Sequence, residues 1–177
     1  CSSDLGAATQ GSGEGLSGLS DFSQDGATFP FGTHLVVVDV DTETGSVVVN
    51  RIVAVDDAGI LVNPLLAAGQ IHGGLAQGVA QALLEEFRYD PDGNPQTSNL
   101  ADYTAVSTME VPSYERIVME TTTPVNPLGA KGIGEAGSIG STAAVQNAVV
   151  DALAHLGIKH LDMPLTPERI WRALAGS

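Results

Sequence analysis

A glycine-rich stretch carries the residues whose types and spacing best suit chemistry. Gly132, Gly134 and Gly137 form the pattern G-x-G-x-x-G, with Lys131 before it and Glu135 inside it. This pattern is typical of a dinucleotide-binding loop, which follows a β-strand and precedes an acidic residue about 20 positions later. Such a loop holds phosphate with its backbone N–H groups, so a carboxylate within it needs another explanation.

The surroundings of this loop disfavour a nicotinamide-binding Rossmann unit. Pro124 and Pro127 make a poor central strand, because proline lacks the N–H that a sheet requires. The next acidic residue, Asp151, comes too early and lies in a helical pattern. Glu135 at the N-terminus of a helix is stabilised as an anion and suits a general base. The alternative is a first-turn acid that only complements the helix dipole.

A second candidate site lies in the helix predicted after Asn63 and Pro64. Leu75, Val79 and Leu83 recur at four-residue spacing, which is typical of one buried helix face. Gln70 is expected near the start of this helix, where its amide could meet an anion or a polar ring. A polar capping residue is an equally consistent interpretation. Close approach of another backbone or a ligand is indicated by Gly69, Gly73, Gly74 and Gly78.

These residues need a sheet to position them. Residues 34–40 and 46–55 predict a hairpin with its turn at 41–45, and residues 116–121 predict a further strand. Both faces of the hairpin are apolar, which predicts a larger sheet covered on both sides. The pair Asp56 and Asp57 is interpreted as a solvated turn that ends the hairpin.

Two helices are predicted near the end of the chain. Gly157 is expected to stop the first, and Thr166 to cap the second ahead of Pro167. Together with the strands, they predict an α+β domain with a mixed sheet and packed helices. Their expected buried residues are Val145, Val149, Ala152, Leu156, Ile170, Trp171 and Leu174.

Composition restricts the class of protein. The 177 residues carry a net charge of −14 with seven Lys and Arg, which disfavours binding to nucleic acid or acidic membranes. No apolar run is long enough to predict a membrane span, and the single Cys excludes an internal disulfide framework. The histidines lack metal-ligand spacing, so no metal ligand is predicted. Residues 1–26, rich in Ser and Gly, predict a flexible linker ahead of an ordered domain at 27–177.

Three motifs together resemble one family. Residues 29–34 (FPFGTH), 69–78 (GQIHGGLAQG) and 131–137 (KGIGEAG) resemble the C-terminal part of the large subunit of molybdenum hydroxylases. This family includes xanthine oxidase, aldehyde oxidase and aerobic carbon monoxide dehydrogenase. Residues 160–171 are similar to the bacterial carbon monoxide dehydrogenase-like branch, and the resemblance covers roughly residues 28–177.

The resemblance implies a role for each candidate residue. Glu135 matches the active-site glutamate that accepts a proton when water-derived oxygen is transferred to the substrate. Gln70 matches a glutamine that contacts the pterin. The implied cofactor is molybdopterin cytosine dinucleotide with molybdenum. The segment implied to lie along it comprises Lys131, Gly132, Ile133 and Gly134.

The resemblance also implies partners. These are the remaining part of the large subunit, an FAD-binding medium subunit and a small subunit with 2Fe-2S clusters, in a cytoplasmic dimer of heterotrimers.

Family large subunits are several times longer, and the segment for a copper-binding cysteine lies upstream; Cys1 matches no catalytic position. The chain is thus expected to be inactive alone, as an excised domain, a processed product or a split subunit. The substrate classes left open are carbon monoxide, aldehydes and N-heterocycles. The alternative is a non-catalytic assembly fragment.

Overall fold

The structure, a computed structural model, describes residues 18–176 as a small mixed sheet with helices. The sheet has three strands in the order β1 (Phe31–Val40), β2 (Val47–Asp57) and β3 (Tyr114–Met119); β1 and β2 are antiparallel, and β2 and β3 are parallel. This arrangement confirms the α+β prediction. In chain order the elements are β1 (Phe31–Val40), β2 (Val47–Asp57), α1 (Pro64–Leu83), β3 (Tyr114–Met119), α2 (Ala136–Leu153), a single 3-10 turn (Ala154–Leu156) and α3 (Pro167–Ala175).

The predicted hairpin is confirmed, with one irregularity that matters for packing. Val37 pairs with Arg51 but Val38 pairs with Val49, so Asn50 is an extra residue in β2. Such a bulge places two residues of one strand opposite one residue of the other. As a result, Val49 before the bulge and Ile52 after it are both buried.

The helices α1 and α2 cross in close contact. A methyl group added at Gly74 would lie 2.8 Å from the Cα of Gly137, and one at Gly78 would overlap the side chain of Ser141. Glycine is therefore required here because the two backbones touch. The crossing covers one face of the sheet, and the buried cluster includes Ile52 and Ala54 of β2 together with residues of all three helices.

The opposite face of the sheet departs from the prediction of a sheet covered on both sides. Its side chains are apolar yet exposed: Leu35 is 55% exposed, Val37 44% and Ile117 52%. No element within residues 18–176 covers them. A patch of this kind marks a surface suited to contact with other protein.

Two predictions about the C-terminal helices are wrong in detail. Trp171, expected in the core, is 51% exposed, while its neighbour Ile170 is fully buried. Successive residues of a helix are turned by about 100°, so the short helix α3 buries Ile170 and turns Trp171 away. The buried stripe of α2 ends at Leu153 rather than at Ala152 and Leu156, because α2 gives way there to the 3-10 turn.

The N-terminal segment can be followed only in part. Residues 18–26 form no helix or strand and are exposed, while residues 1–17, which include most of the predicted linker, lie outside the described residues. The boundary at residue 26 stays a prediction. None of the helices within residues 18–176 combines the length and apolar character needed to cross a membrane.

Candidate functional site

A cleft of about 370 Å³ lies at the N-terminus of α2. The glycine loop forms one wall of it, and the start of β1 and the end of β2 form the other. Phe31 and Ile139 add apolar surface. The structure thus brings together four of the predicted site residues, Gly132, Ile133, Gly134 and Glu135. It adds His34 and Asp56, which the sequence did not predict as site residues.

Glu135 is the N-cap residue of α2. Its side chain makes no capping hydrogen bond, and it is exposed. Its carbonyl oxygen instead accepts hydrogen bonds from the N–H groups of Ser138 and Ile139, each at 3.1 Å. The carboxylate therefore stays available to a ligand, beside the positive end of the helix dipole. This geometry suits a general base.

The glycine loop is fixed at its start and open in its middle. The Asn126 side chain donates to the carbonyl of Ala130 at 2.8 Å and accepts from its N–H at 3.2 Å. Beyond this anchor, a methyl group added at Gly132 or Gly134 would meet nothing within 4 Å, and neither glycine has a positive φ. Nothing within residues 18–176 requires glycine at these positions, so they fit a group that lies directly along the loop backbone.

The loop does not follow a strand, as a Rossmann unit would require. Ala130 makes only an isolated bridge to Gly59, and β3 has already ended at Met119. The structure therefore agrees with the argument against a nicotinamide-binding loop. Within residues 18–176, no three His, Cys, Asp or Glu side chains form a group that could hold a metal ion. What the loop offers to a ligand is backbone.

Lys131 is not a solvated surface lysine. Its ammonium lies 2.9 Å from Asp57, its side chain is only 6% exposed, and it stacks 4.8 Å from the centre of the Phe31 ring. Its backbone N–H donates to the carbonyl of Ala58 at 2.8 Å. Lys131 therefore anchors the loop to the end of β2, and its charge is neutralised there.

Asp56 and Asp57 are not a solvated turn, which corrects the sequence interpretation. Both are buried, at 4% and 1% exposure, because β2 continues through them. Asp56 pairs with His34 at 3.1 Å, and Asp57 pairs with Lys131. The sequence offered one signal for this pair: two acids are adjacent in a chain that has only seven Lys and Arg to pair with them.

Gln70 occupies a different place from the one expected. It lies in the second turn of α1, beyond the free N–H groups of the first turn, and its side chain is exposed. The structure does not place it among the residues that line the cleft. It is nevertheless next to Ile71, and a methyl group at Gly137 would lie 2.5 Å from the Ile71 carbonyl oxygen. The helix crossing therefore holds Gln70 and Glu135 in a fixed relation.

Comparison with known proteins gives a consistent result. The family model of the molybdopterin cofactor-binding domain matches residues 6–112. The chain is 42% identical over 160 residues to the carbon monoxide dehydrogenase large chain of Hydrogenophaga pseudoflava, covering 90% of this chain and 20% of that protein. It is 41% identical over 149 residues to the nicotine 6-hydroxylase large subunit of Paenarthrobacter nicotinovorans, covering 84% and 18%.

Solved structures agree with these relatives. The crystal structure of the Cu,Mo-CO dehydrogenase in its carbon monoxide reduced state matches with a TM-score of 0.86 and 35% identity. The match covers 91% of this chain and 21% of that one. The chain thus spans about a fifth of the length of the relatives it matches.

Proposed function

The chain belongs to the molybdopterin cofactor-binding domain family, and we propose that it forms the C-terminal part of the large subunit of a molybdenum-dependent oxidoreductase. The bound cofactor would supply the redox centre that takes electrons from the substrate and activates water-derived oxygen. Glu135 is the general base. The observation that carries this proposal is the Glu135 carboxylate, which makes no capping hydrogen bond at the N-terminus of α2 and lies beside a glycine backbone with open space around it.

The backbone of the glycine loop holds the cofactor. Gly132, Ile133 and Gly134 offer peptide groups along one wall of the cleft, where the chain leaves room for a ligand. Lys131 contributes by fixing this wall, because its ammonium is bound to Asp57. Because the chain carries a net charge of −14, an anionic dinucleotide would be held mainly by backbone N–H groups, and we assign the cofactor as molybdopterin cytosine dinucleotide.

Gln70 contacts the pterin with its side-chain amide. The exposed position of Gln70 in α1 leaves that amide open to a ligand on the outer side of the helix crossing. Gly73, one turn later, adds open space, since a methyl group there would meet nothing within 4 Å. Gln70 and Glu135 would then approach the cofactor from the two helices that cross at Gly74 and Gly137.

The remaining part of the large subunit is the first partner. It would cover the exposed apolar face formed by Leu35, Val37 and Ile117. Electrons leave through partner subunits that carry FAD and 2Fe-2S clusters, in a cytoplasmic dimer of heterotrimers.

Relatives of nearly equal identity act, by their names, on carbon monoxide and on nicotine. This segment therefore supplies chemistry common to both, and the rest of the subunit selects the substrate.

The decisive experiment is Glu135→Gln in the complete enzyme. Removing a general base lowers turnover by about 10²- to 10⁴-fold. We expect turnover to be abolished at ordinary assay sensitivity while molybdenum content stays near that of the wild type. Glu168→Gln is the matched control, because Glu168 is also an exposed acid near a helix N-terminus, but it is paired with Arg172 and does not line the cleft. That variant should keep full activity.

Two outcomes would contradict the proposal. Normal turnover in Glu135→Gln would remove Glu135 as the base. A complex reconstituted from this chain and the rest of the subunit that contains no molybdenum would instead favour a non-catalytic assembly fragment.

A further inference from the structure

The pair of His34 and Asp56 has no part in the proposed function, yet it lines the same cleft as Glu135. The imidazole Nε2 lies 3.1 Å from Asp56 Oδ1. The two side chains are only 2% and 4% exposed. Burying a carboxylate and an imidazole in this way costs free energy that apolar residues in their place would not cost. The pair therefore needs a reason other than stability.

Hydrogen bonding within the pair is incomplete. Neither Nδ1 of His34 nor Oδ2 of Asp56 has a partner within residues 18–176, although both atoms are buried. A pair selected for stability would have these atoms satisfied, because each unpaired buried polar atom costs about 1–3 kcal/mol. The pair therefore adds little to the stability of the fold, and its geometry needs another reason.

That geometry places the imidazole directly under the first part of α2. A methyl group added at Gly140 would lie 2.5 Å from Nδ1 of His34, so the ring touches the helix backbone itself. On the other side, a methyl group at Gly32 would lie 2.5 Å from Oδ1 of Asp56. The His34 ring thus contacts the backbone of α2, and the Asp56 carboxylate contacts the backbone of β1, with a glycine at each contact. Gly140 follows Glu135 by little more than one helical turn.

We propose that His34, oriented by Asp56, is a positioning residue that sets the distance between α2 and the sheet and so places the Glu135 carboxylate in the cleft. The proposal rests on the proposed function, in which Glu135 is the base. Gly140 lies in the second turn of α2, so a ring in contact with the helix there limits how far the N-cap residue Glu135 can move. A displacement of about 1 Å in a reacting group can cost about 10²-fold in rate.

The test uses the complete enzyme, with kcat, KM and molybdenum content measured for each variant. His34→Ala should lower kcat by about ten- to a hundredfold, with KM changed less than about twofold and molybdenum content unchanged. His34→Gln should keep most of kcat, because its amide nitrogen can take the place of Nε2 and donate to Asp56. Rescue by Gln, which fills the same space and keeps the hydrogen bond to Asp56, would show that kcat depends on this contact and not on the chemistry of the imidazole.

Gly140→Ala tests the contact from the other side. Its new methyl group would push against the imidazole, so kcat should fall as in His34→Ala. In a His34→Ala background the methyl group has room, and adding Gly140→Ala should then change kcat little. Such non-additivity is expected only if the two residues act through one contact.

His160→Ala is the matched control, because His160 also pairs with an aspartate, Asp162, at 3.0 Å but on the surface. It should behave as the wild type. A wild-type kcat in His34→Ala would overturn the proposal, as would a loss of molybdenum in proportion to activity. If His34→Ala fails to assemble, a wild-type kcat in Gly140→Ala overturns it. Glu135→Gln, assayed in parallel, separates the two levels: full activity there defeats the base itself, whereas an inactive Glu135→Gln with an unaffected His34→Ala defeats only the positioning role.

Discussion

Two adjacent carboxylates at the end of β2, Asp56 and Asp57, differ in how completely they are hydrogen-bonded. Asp57 accepts hydrogen bonds from the Lys131 ammonium at 2.9 Å, the Thr121 N–H at 2.7 Å and the Gly59 N–H at 3.0 Å. Asp56, one residue earlier on the other face of the strand, is bonded only to His34, and its Oδ2 has no partner within residues 18–176. Burial is nearly the same for both.

The difference separates a structural anchor from a site component. Asp57 ties together the end of β2, the segment after β3 and the start of the glycine loop, and all of its partners belong to the backbone or to one lysine. Burial alone would raise the pKa of Asp57, but the hydrogen bonds from Lys131, Thr121 and Gly59 outweigh it and hold that pKa well below its usual range. Asp56 faces the cleft with unused hydrogen-bonding capacity, as groups near a ligand often do.

The largest expected effect comes from breaking the anchor at Lys131. Lys131→Met leaves Asp57 buried without its countercharge, which costs about 3–5 kcal/mol of the free energy of unfolding. Chemical denaturation of the chain measures this. The exposed Lys159 provides the control, since Lys159→Met should change the free energy of unfolding by less than about 0.5 kcal/mol. Equal effects of the two substitutions would contradict the anchor role.

This anchor also explains what the sequence could and could not predict. The hairpin, α1 and the capped start of α3 were predicted, because continuous runs of β-branched residues, four-residue apolar spacing and caps are local signals. The burial of Asp56 and Asp57 was not, because their partners His34 and Lys131 lie 22 and 74 residues away along the chain. Two consecutive acids after a strand have the local character of a turn. Only the fold brings the partners to them.

The candidate site divides along the same line. Glu135 and the open glycines could be named from their types and spacing, since a carboxylate within a glycine loop is unusual in itself. His34 could not be assigned a role from the sequence, because that role depends on its contact with Gly140 in α2. The two residues are far apart along the chain, and only the fold brings them together. The place of Gln70, by contrast, was available from the sequence, because a helix that begins after Asn63 puts residue 70 in its second turn.

An intermediate effect is expected from Asp57→Asn, and it should depend on pH. Hydrogen bonds to a charged group contribute about 1.5–3 kcal/mol, so a loss of about this size is expected at pH 7. Because the folded-state pKa of Asp57 is lowered, the stabilisation is fully present above the ordinary carboxyl pKa of about 3.9 and is lost as pH falls through the folded-state value. The difference in the free energy of unfolding between wild type and Asp57→Asn should therefore be constant near neutral pH and shrink in acid. A difference that grows below about pH 4 would show that the sign is wrong.

The smallest effect on stability is expected from Asp56→Asn, and it tests the comparison most directly. The carboxylate has one partner and an unpaired oxygen, so its replacement by an uncharged amide of the same shape removes little favourable energy and relieves the burial of a charge. The free energy of unfolding should change by less than about 1 kcal/mol, well below the change for Asp57→Asn measured under the same conditions. In the complete enzyme, however, Asp56→Asn should lower kcat, because an amide oxygen is a weaker acceptor than a carboxylate oxygen and orients His34 less firmly. A variant that is as unstable as Asp57→Asn would make the two carboxylates equivalent anchors, and stability would then explain both.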